Sequence, residues 1–324
     1  MIIMSPSFLS GLAELPRAGQ TVRRENRYRE EFMSTQPTVA VLGLGAMGYA
    51  FAANLISAGL PTRVWNRTRS KAENLGRNGA TVCNSPREAA ESADVVITMV
   101  PDAPTTEEVL LGDNGALEGL KQQGVVAQMG TIGVEPTEQL IRRVKDKRPD
   151  VVFIDAPVSG TKAPAEQGQV VVLASGDRDA APGIEPVFEA ISKAVKWQGQ
   201  AGAGSRMKLV VNAWLIHMME GVAETAQLAE QLGFSIDDFW NTLDGGPLAA
   251  PYVKVKLGMI DSGNFDAQMA LEWGLKDARL ALEAAGDLDM PALRRISETW
   301  SKAVDAGHGD ADISIIYHYL KNRG

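Results

Sequence analysis

The chain has 324 residues, 45% of them hydrophobic, a formal net charge of −8 and a pI near 5.1. That length and apolar content suffice for two domains and a sizeable core, while the acidic balance argues against a nucleic-acid or anionic-membrane partner, which would need a basic face. One cysteine, Cys83, excludes an intramolecular disulfide, and no Cys/His cluster has metal-ligand spacing, so no metal is expected and a reducing cytoplasm is the expected location.

Residues 1–36 show neither helical nor strand period and carry Pro6, Pro16 and a mixed charge run over 23–31, so a disordered tail without function is expected. The segment has no continuous apolar stretch and holds four glutamates, which argues against a secretory signal and an acid-poor transit peptide. Met33 stands just before the first expected strand, so the stretch ahead of it is read as an over-extended reading frame.

From 37 to 198, apolar strands at 38–42, 62–66, 94–100, 124–129, 151–155, 170–174 and 194–197 alternate with helical stretches. This is α/β patterning, a doubly wound sheet of the Rossmann dinucleotide-binding kind. The first strand-to-helix joint reads VAVLGLGAMG. In it Gly43 allows a tight turn, Gly45 lets backbone approach a pyrophosphate, and Gly48 permits close packing of helix on strand. Leu44, Ala46 and Met47 complete the turn, and the helix start offers free N–H groups and a positive dipole end to phosphates.

At the end of the second strand an NAD enzyme presents an acid to the ribose 2′-hydroxyl. Here the chain reads Val64, Trp65, Asn66, Arg67, Thr68: a cation and two hydrogen-bonding side chains stand where a 2′-phosphate would lie. NADP is therefore expected in preference to NAD; the alternative is an Arg67 merely solvated at a strand end.

Past Gly204 the strands give way to apolar-periodic helices over about 205–232, near 237, and over 264–285, 291–306 and 311–320. The expected organisation is a nucleotide-binding domain over 37–198 followed by an all-helical domain over 199–324. His217, His308 and His318 are scattered in helical sequence, and His217 reads as packing. Lys208 and Asn212 lie one turn apart on one helix face among Leu209, Val210 and Val211, a poor setting for a solvated polar pair. Either they act on one ligand, or the lysine reaches water while Asn212 bonds a neighbouring helix.

Four motifs in order, GLGAMG at 43–48, DAPVSGTKAPAEQGQ at 155–169, GAGSRMKLVVN at 202–212 and LKDARLAL at 275–282, resemble the β-hydroxyacid dehydrogenase family, which includes 3-hydroxyisobutyrate dehydrogenase and glyoxylate/succinic semialdehyde reductase. The resemblance runs from about Thr38 to Leu320. It implies Lys208 as the catalytic lysine, with Asn212 holding the substrate or the lysine, and Ser159 and Gly160 binding the substrate carboxylate. It further implies Thr131 and Lys276 at the nicotinamide end of the cofactor, with Val100 and Pro101 lining its path. Taken without the resemblance, Ser159-Gly160 is a turn and Lys276-Asp277 a surface pair.

The NRT run at 66–68 and the SGTKAPAEQGQ loop are most similar to the NADPH-using glyoxylate/succinic semialdehyde reductase branch. Two departures stand out: Gln128, Met129, Gly130, Thr131 replaces an Asp-Met-Ser-Thr run, and Glu272 and Trp273 precede Lys276 unexpectedly. The resemblance implies an NADPH-dependent reductase of a small aldehyde- or keto-acid with Lys208 as general acid, forming a homodimer or homotetramer. The rivals are an NAD(P)-dependent β-hydroxyacid dehydrogenase, an imine reductase, against which Lys208 speaks, and a non-catalytic nucleotide-binding protein.

Overall fold

The computed structural model of the protein describes residues 36–181 and 183–322; the tail expected over 1–36 lies outside them, Gln36 excepted. Strands β1 (Val39–Leu42), β2 (Thr62–Trp65), β3 (Thr81–Val82), β4 (Val95–Thr98), β5 (Val125–Gln128) and β6 (Val152–Asp155) form a parallel sheet in the order β3-β2-β1-β4-β5-β6. All residues of β1, β4 and β5 are buried, as expected of parallel strands covered on both faces.

Strand alternation divides the core in two. Val39 and Val41 pack with Phe51, Leu55 and Phe188 on one face, while Ala40 and Leu42 pack with Leu110, Leu117 and Leu140 on the other. The strand order reverses between β1 and β4, which opens a crevice at the carboxyl ends of these strands. Helix starts next to it have local reasons: Asp102 accepts from Thr105 N at 2.8 Å ahead of the helix Ala103–Leu111, and Ser85 accepts from Glu88 N at 3.1 Å ahead of Pro86–Ala90.

The strands expected at 170–174 and 194–197 do form, as β8 (Val170–Ala174) and β9 (Ser192–Trp197), but outside the main sheet. They make a separate three-stranded sheet with β7 (Val158–Ser159), which runs antiparallel to β8. Gly160 at φ 143 follows β7, and a Cβ there would lie 2.9 Å from Val170 Cγ1. Both β3 and β7 span two residues, too short for a period to register in sequence.

Beyond β9 the chain is helical: Ala203–Gln231, Ile236–Leu243, Pro251–Ser262, Leu271–Ala285, Pro291–Ala303 and Ile315–Lys321 surround a core containing Ile216, Met219, Leu275 and Trp300. The 29-residue first helix spans about 43 Å at the usual rise. Two expectations need correction. A helix at Pro251–Ser262 was not anticipated, and the helix expected from 264 begins only at Leu271. The amides of Gln268 and Met269 instead donate to the carboxylate of Asp312, a tertiary bond that competes with local helix formation. Gly274 sits inside the Leu271–Ala285 helix despite its poor propensity, because a Cβ there would come within 2.7 Å of the buried Trp300 ring.

Candidate active site

The crevice is a cavity of about 1210 Å³ that runs from the glycine turn to Lys208 and Met269. This exceeds the 300–1,000 Å³ usual for a drug-sized ligand, so it has room for a dinucleotide and a small substrate together. The three turn glycines have distinct duties. Gly43, at φ 96, would bring a Cβ within 2.4 Å of Met99 O, and Gly48 would bring one within 2.0 Å of Gly43 O. A Cβ on Gly45 would meet nothing within 4 Å, because that residue faces the cavity. Gly45, Ala46 and Met47 line it, and no side chain caps the helix Ala46–Ser57 that starts there. Its first-turn N–H groups and dipole fit an anionic pyrophosphate. Leu44, expected at the cofactor, is buried, does not line the cavity and gives its N–H to Asn66.

Asn66 has a structural duty at this end: its Oδ1 accepts from Leu44 N at 2.8 Å and its Nδ2 donates to Thr68 O at 3.0 Å, bracing the glycine turn against β2. Arg67, Thr68 and Lys71 line the cavity beside it, so two cations stand where sequence reading anticipated one.

At the other end of the cavity Lys208 lies half-buried on the long helix. That helix is fixed at its start by Asp155 at the end of β6, whose carboxylate accepts from Ser205 N at 2.8 Å, Ser205 Oγ at 2.6 Å and Ser175 Oγ at 3.0 Å. Burial raises the pKa of Asp155, and these donors oppose the rise. One turn on, Lys208 Nζ donates to Asn212 Oδ1 at 2.8 Å, and Asn212 Nδ2 donates to Asp277 Oδ2 at 2.5 Å. Asn212 is fully enclosed with both ends of its amide engaged, so it holds the lysine and bonds a neighbouring helix at once. Burial lowers the Lys208 pKa to about 8; the Asp277 charge pulls it back up and the Lys276 charge pushes it further down.

Lys276 also lines the cavity, yet its ammonium is engaged by the protein: Nζ donates to Thr131 O at 2.6 Å and Pro101 O at 3.0 Å, with Asp277 Oδ1 3.3 Å away. It ties the helical side to the loops after β4 and β5. Asp277 Oδ1 has no hydrogen-bond donor, since the Lys276 contact lacks the alignment of a hydrogen bond. Val100, Pro101, Gly130, Thr131 and Gly160 all reach the cavity wall, whereas Ser159 lies in β7 beside it.

The substituted run after β5 is internally consistent. Gln128 Nε2 donates to Gly130 O at 2.8 Å and its Oε1 accepts from Gly130 N at 2.6 Å, while a Cβ at Gly130 would come within 2.5 Å of Val100 O. The glutamine and the glycine thus form one coupled unit. Sequence reading missed Asp277 as a partner of Asn212, although it stands next to Lys276 in the motif. It also missed Gln268 and Met269 on the cavity wall, for which no local signal exists. His217 Nδ1 contacts Ala213 O at 2.7 Å within its own helix, and the residue does not line the cavity.

A crevice at the strand-order reversal, a glycine turn at its mouth and a half-buried lysine at its far end define an NAD(P)-dependent oxidoreductase. The NAD binding domain of 6-phosphogluconate dehydrogenase matches residues 38–199, and the NAD-binding domain of NADP-dependent 3-hydroxyisobutyrate dehydrogenase matches 202–320. Glyoxylate/succinic semialdehyde reductase 1 of Arabidopsis thaliana is 35% identical over 286 residues, covering 87% of this chain and 98% of that protein. The chloroplastic reductase 2 of the same plant is 32% identical, covering 88% of this chain and 79% of that one. The structure of Mycobacterium tuberculosis 3-hydroxyisobutyrate dehydrogenase with L-serine superposes at a TM-score of 0.79 and 26% identity, covering 90% of this chain and all of that one. The chain belongs to the β-hydroxyacid dehydrogenase family.

Proposed function

We propose that the protein is an NADPH-dependent reductase that converts a small aldehyde- or keto-acid, of the glyoxylate or succinic semialdehyde type, to the hydroxy acid, with Lys208 as general acid. The observation that carries this reading is the Lys208 ammonium: it faces the cavity, is held by Asn212, and has a pKa lowered to about 8. At neutral pH it is protonated and close enough in pKa to give its proton away, the condition for general acid catalysis.

The bound cofactor supplies the hydride. The chain's own groups do the rest. Lys208 hydrogen-bonds the carbonyl oxygen and delivers the proton to it. Asn212 keeps the ammonium aimed, and the Gly160 loop with Ser159 receives the substrate carboxylate. Arg67, with Lys71 and Thr68 beside it, receives the 2′-phosphate, and the Gly45 backbone receives the pyrophosphate. Thr131, Val100 and Pro101 flank the nicotinamide end, positioned by the Lys276 tie. The assembly is a homodimer or homotetramer formed through the helical region, where Met207, Val210 and Trp214 make an exposed apolar row on the long helix.

A second reading, oxidation of 3-hydroxyisobutyrate or a related β-hydroxy acid, is favoured by the likeness to the mycobacterial dehydrogenase. In that direction unprotonated Lys208 takes the hydroxyl proton. A screen of purified protein for NADPH oxidation against glyoxylate, succinic semialdehyde, methylmalonate semialdehyde and cyclic imines, with NADP⁺ reduction by 3-hydroxyisobutyrate alongside, tests both. Reduction of a carbonyl acid with NADPH is expected; turnover of imines alone, or of none of these, overturns the reading.

A further inference from the structure

The loop assigned above to the substrate carboxylate is held from both sides of the cleft. Its leading end is β7, paired to β8. Its trailing end is the short helix Lys162–Glu166, which Thr161 does not cap. The cap comes from across the cleft. Gln268, on the cavity wall, accepts from Lys162 N through its backbone carbonyl at 3.3 Å and from Ala163 N through Oε1 at 3.0 Å.

Gln268 is in turn fixed from behind. Its N–H donates to Asp312 Oδ2 at 3.0 Å, and the N–H of Met269 donates to the same oxygen at 3.1 Å. The other Asp312 oxygen accepts from Lys256 Nζ at 2.6 Å, Ser314 Oγ at 2.8 Å and Ser314 N at 3.0 Å. Lys256 is 1% exposed and Asp312 0%. A buried ion pair stabilises a fold only weakly compared with apolar residues of the same volume. What it provides here is direction, since a carboxylate with five donors fixes the 268–269 backbone where local helix formation would have carried it elsewhere.

We propose that Gln268, anchored by the buried Lys256–Asp312 pair, is a positioning residue that sets the Gly160 loop at its working distance from Lys208. The long helix bearing Lys208 is anchored independently through Asp155, so loosening the Gln268 latch moves the loop relative to the lysine. The lysine keeps its place on the long helix while the loop's hold on the substrate weakens, so the loss falls on KM. The substrate role of the loop rests on the function proposed above; the latch itself does not.

The test compares the full chain, loaded with NADPH, with Gln268→Met, which keeps bulk but loses the acceptor, and Gln268→Glu, which keeps an acceptor for Ala163 N–H. Amide hydrogen exchange over 158–168 is measured together with steady-state kinetics and NADPH binding by fluorescence. In Gln268→Met, exchange of this loop and KM for the carbonyl acid are each expected to rise about three- to tenfold, the size of one lost hydrogen bond. Its kcat should stay within about threefold and its NADPH affinity unchanged, and Gln268→Glu is expected to restore loop protection. Unchanged loop exchange overturns the latch, as does a raised exchange with unchanged KM, or a parallel loss of NADPH affinity, which marks general loosening. If the parent reduces no carbonyl acid, the functional reading fails, and the exchange comparison by itself decides the latch.

Discussion

Lys208 and Asp277 lie on different helices, make no ion pair, and are joined through a single carboxamide: Asn212 accepts from Lys208 Nζ at 2.8 Å and donates to Asp277 Oδ2 at 2.5 Å. The aspartate therefore biases the lysine by charge across a fixed spacer, without sharing its proton. Lys276, beside Asp277, biases it the other way. The lysine's titration is thus set by burial and a pair of opposed charges.

The first expected outcome concerns pH. A general acid works while protonated, so kcat/KM for carbonyl reduction should be level below the Lys208 pKa and fall as pH rises through about 8. Asp277→Asn keeps a polar partner for Asn212 but removes the charge that favours the protonated lysine, so the falling limb should move to lower pH. pH–rate profiles of the two proteins check this; a limb that stays in place or moves to higher pH contradicts the assignment.

Lys208→Met retains the stem and deletes the ammonium. Turnover should fall by about 10²–10⁴-fold, with NADPH affinity preserved, because the residues proposed to hold the cofactor lie along the rest of the cavity. Asn212→Ala should cost less, since it orients the donor and transfers no proton. Kinetics paired with fluorescence titration separates the two effects; a Lys208→Met protein within about threefold of the parent removes the lysine from the mechanism.

Arg67→Asp should turn preference from NADPH toward NADH. A charge-assisted hydrogen bond is worth about 1.5–3 kcal/mol, so the ratio of kcat/KM values should change by tenfold or more. Lys71, on the same wall, limits the change, and the double substitution with Lys71→Ala should enlarge it. An unchanged ratio in the double variant contradicts the 2′-phosphate assignment.

Lys256→Met leaves the Asp312 charge buried without its cation. Breaking a buried pair by removing one partner costs about 3–5 kcal/mol. Urea unfolding should show a loss of that order, and Lys256→Met with Asp312→Asn should recover part of it.

Val210 and Trp214 are 64% and 65% exposed, and with Met207 they make a row on the side of the long helix turned away from its core. This row is the surface through which the proposed homo-oligomer would form. Trp214→Arg should shift light scattering from an oligomeric mass toward a monomer while leaving the helical content by circular dichroism intact; an unchanged mass with the parent monomeric excludes the homo-oligomer.

How much of this was legible in the chain depends on the range of the interactions concerned. The glycine turn, the alternating strands and the Lys208–Asn212 spacing are properties of a few consecutive residues, because strand pleat, turn sterics and helix pitch act within one or two turns of chain. The α/β class, the parallel sheet and the helical C-terminal domain followed from them. Tertiary structure alone decided the partners. Asn66 braces the glycine turn, Asp277 receives Asn212, Lys276 is taken up by the carbonyls of Thr131 and Pro101, and Asp312 interrupts the helix expected from 264. Hydrogen bonds and ion pairs across tens or hundreds of residues leave no period in the sequence; they exist only once the packed core has brought their ends together.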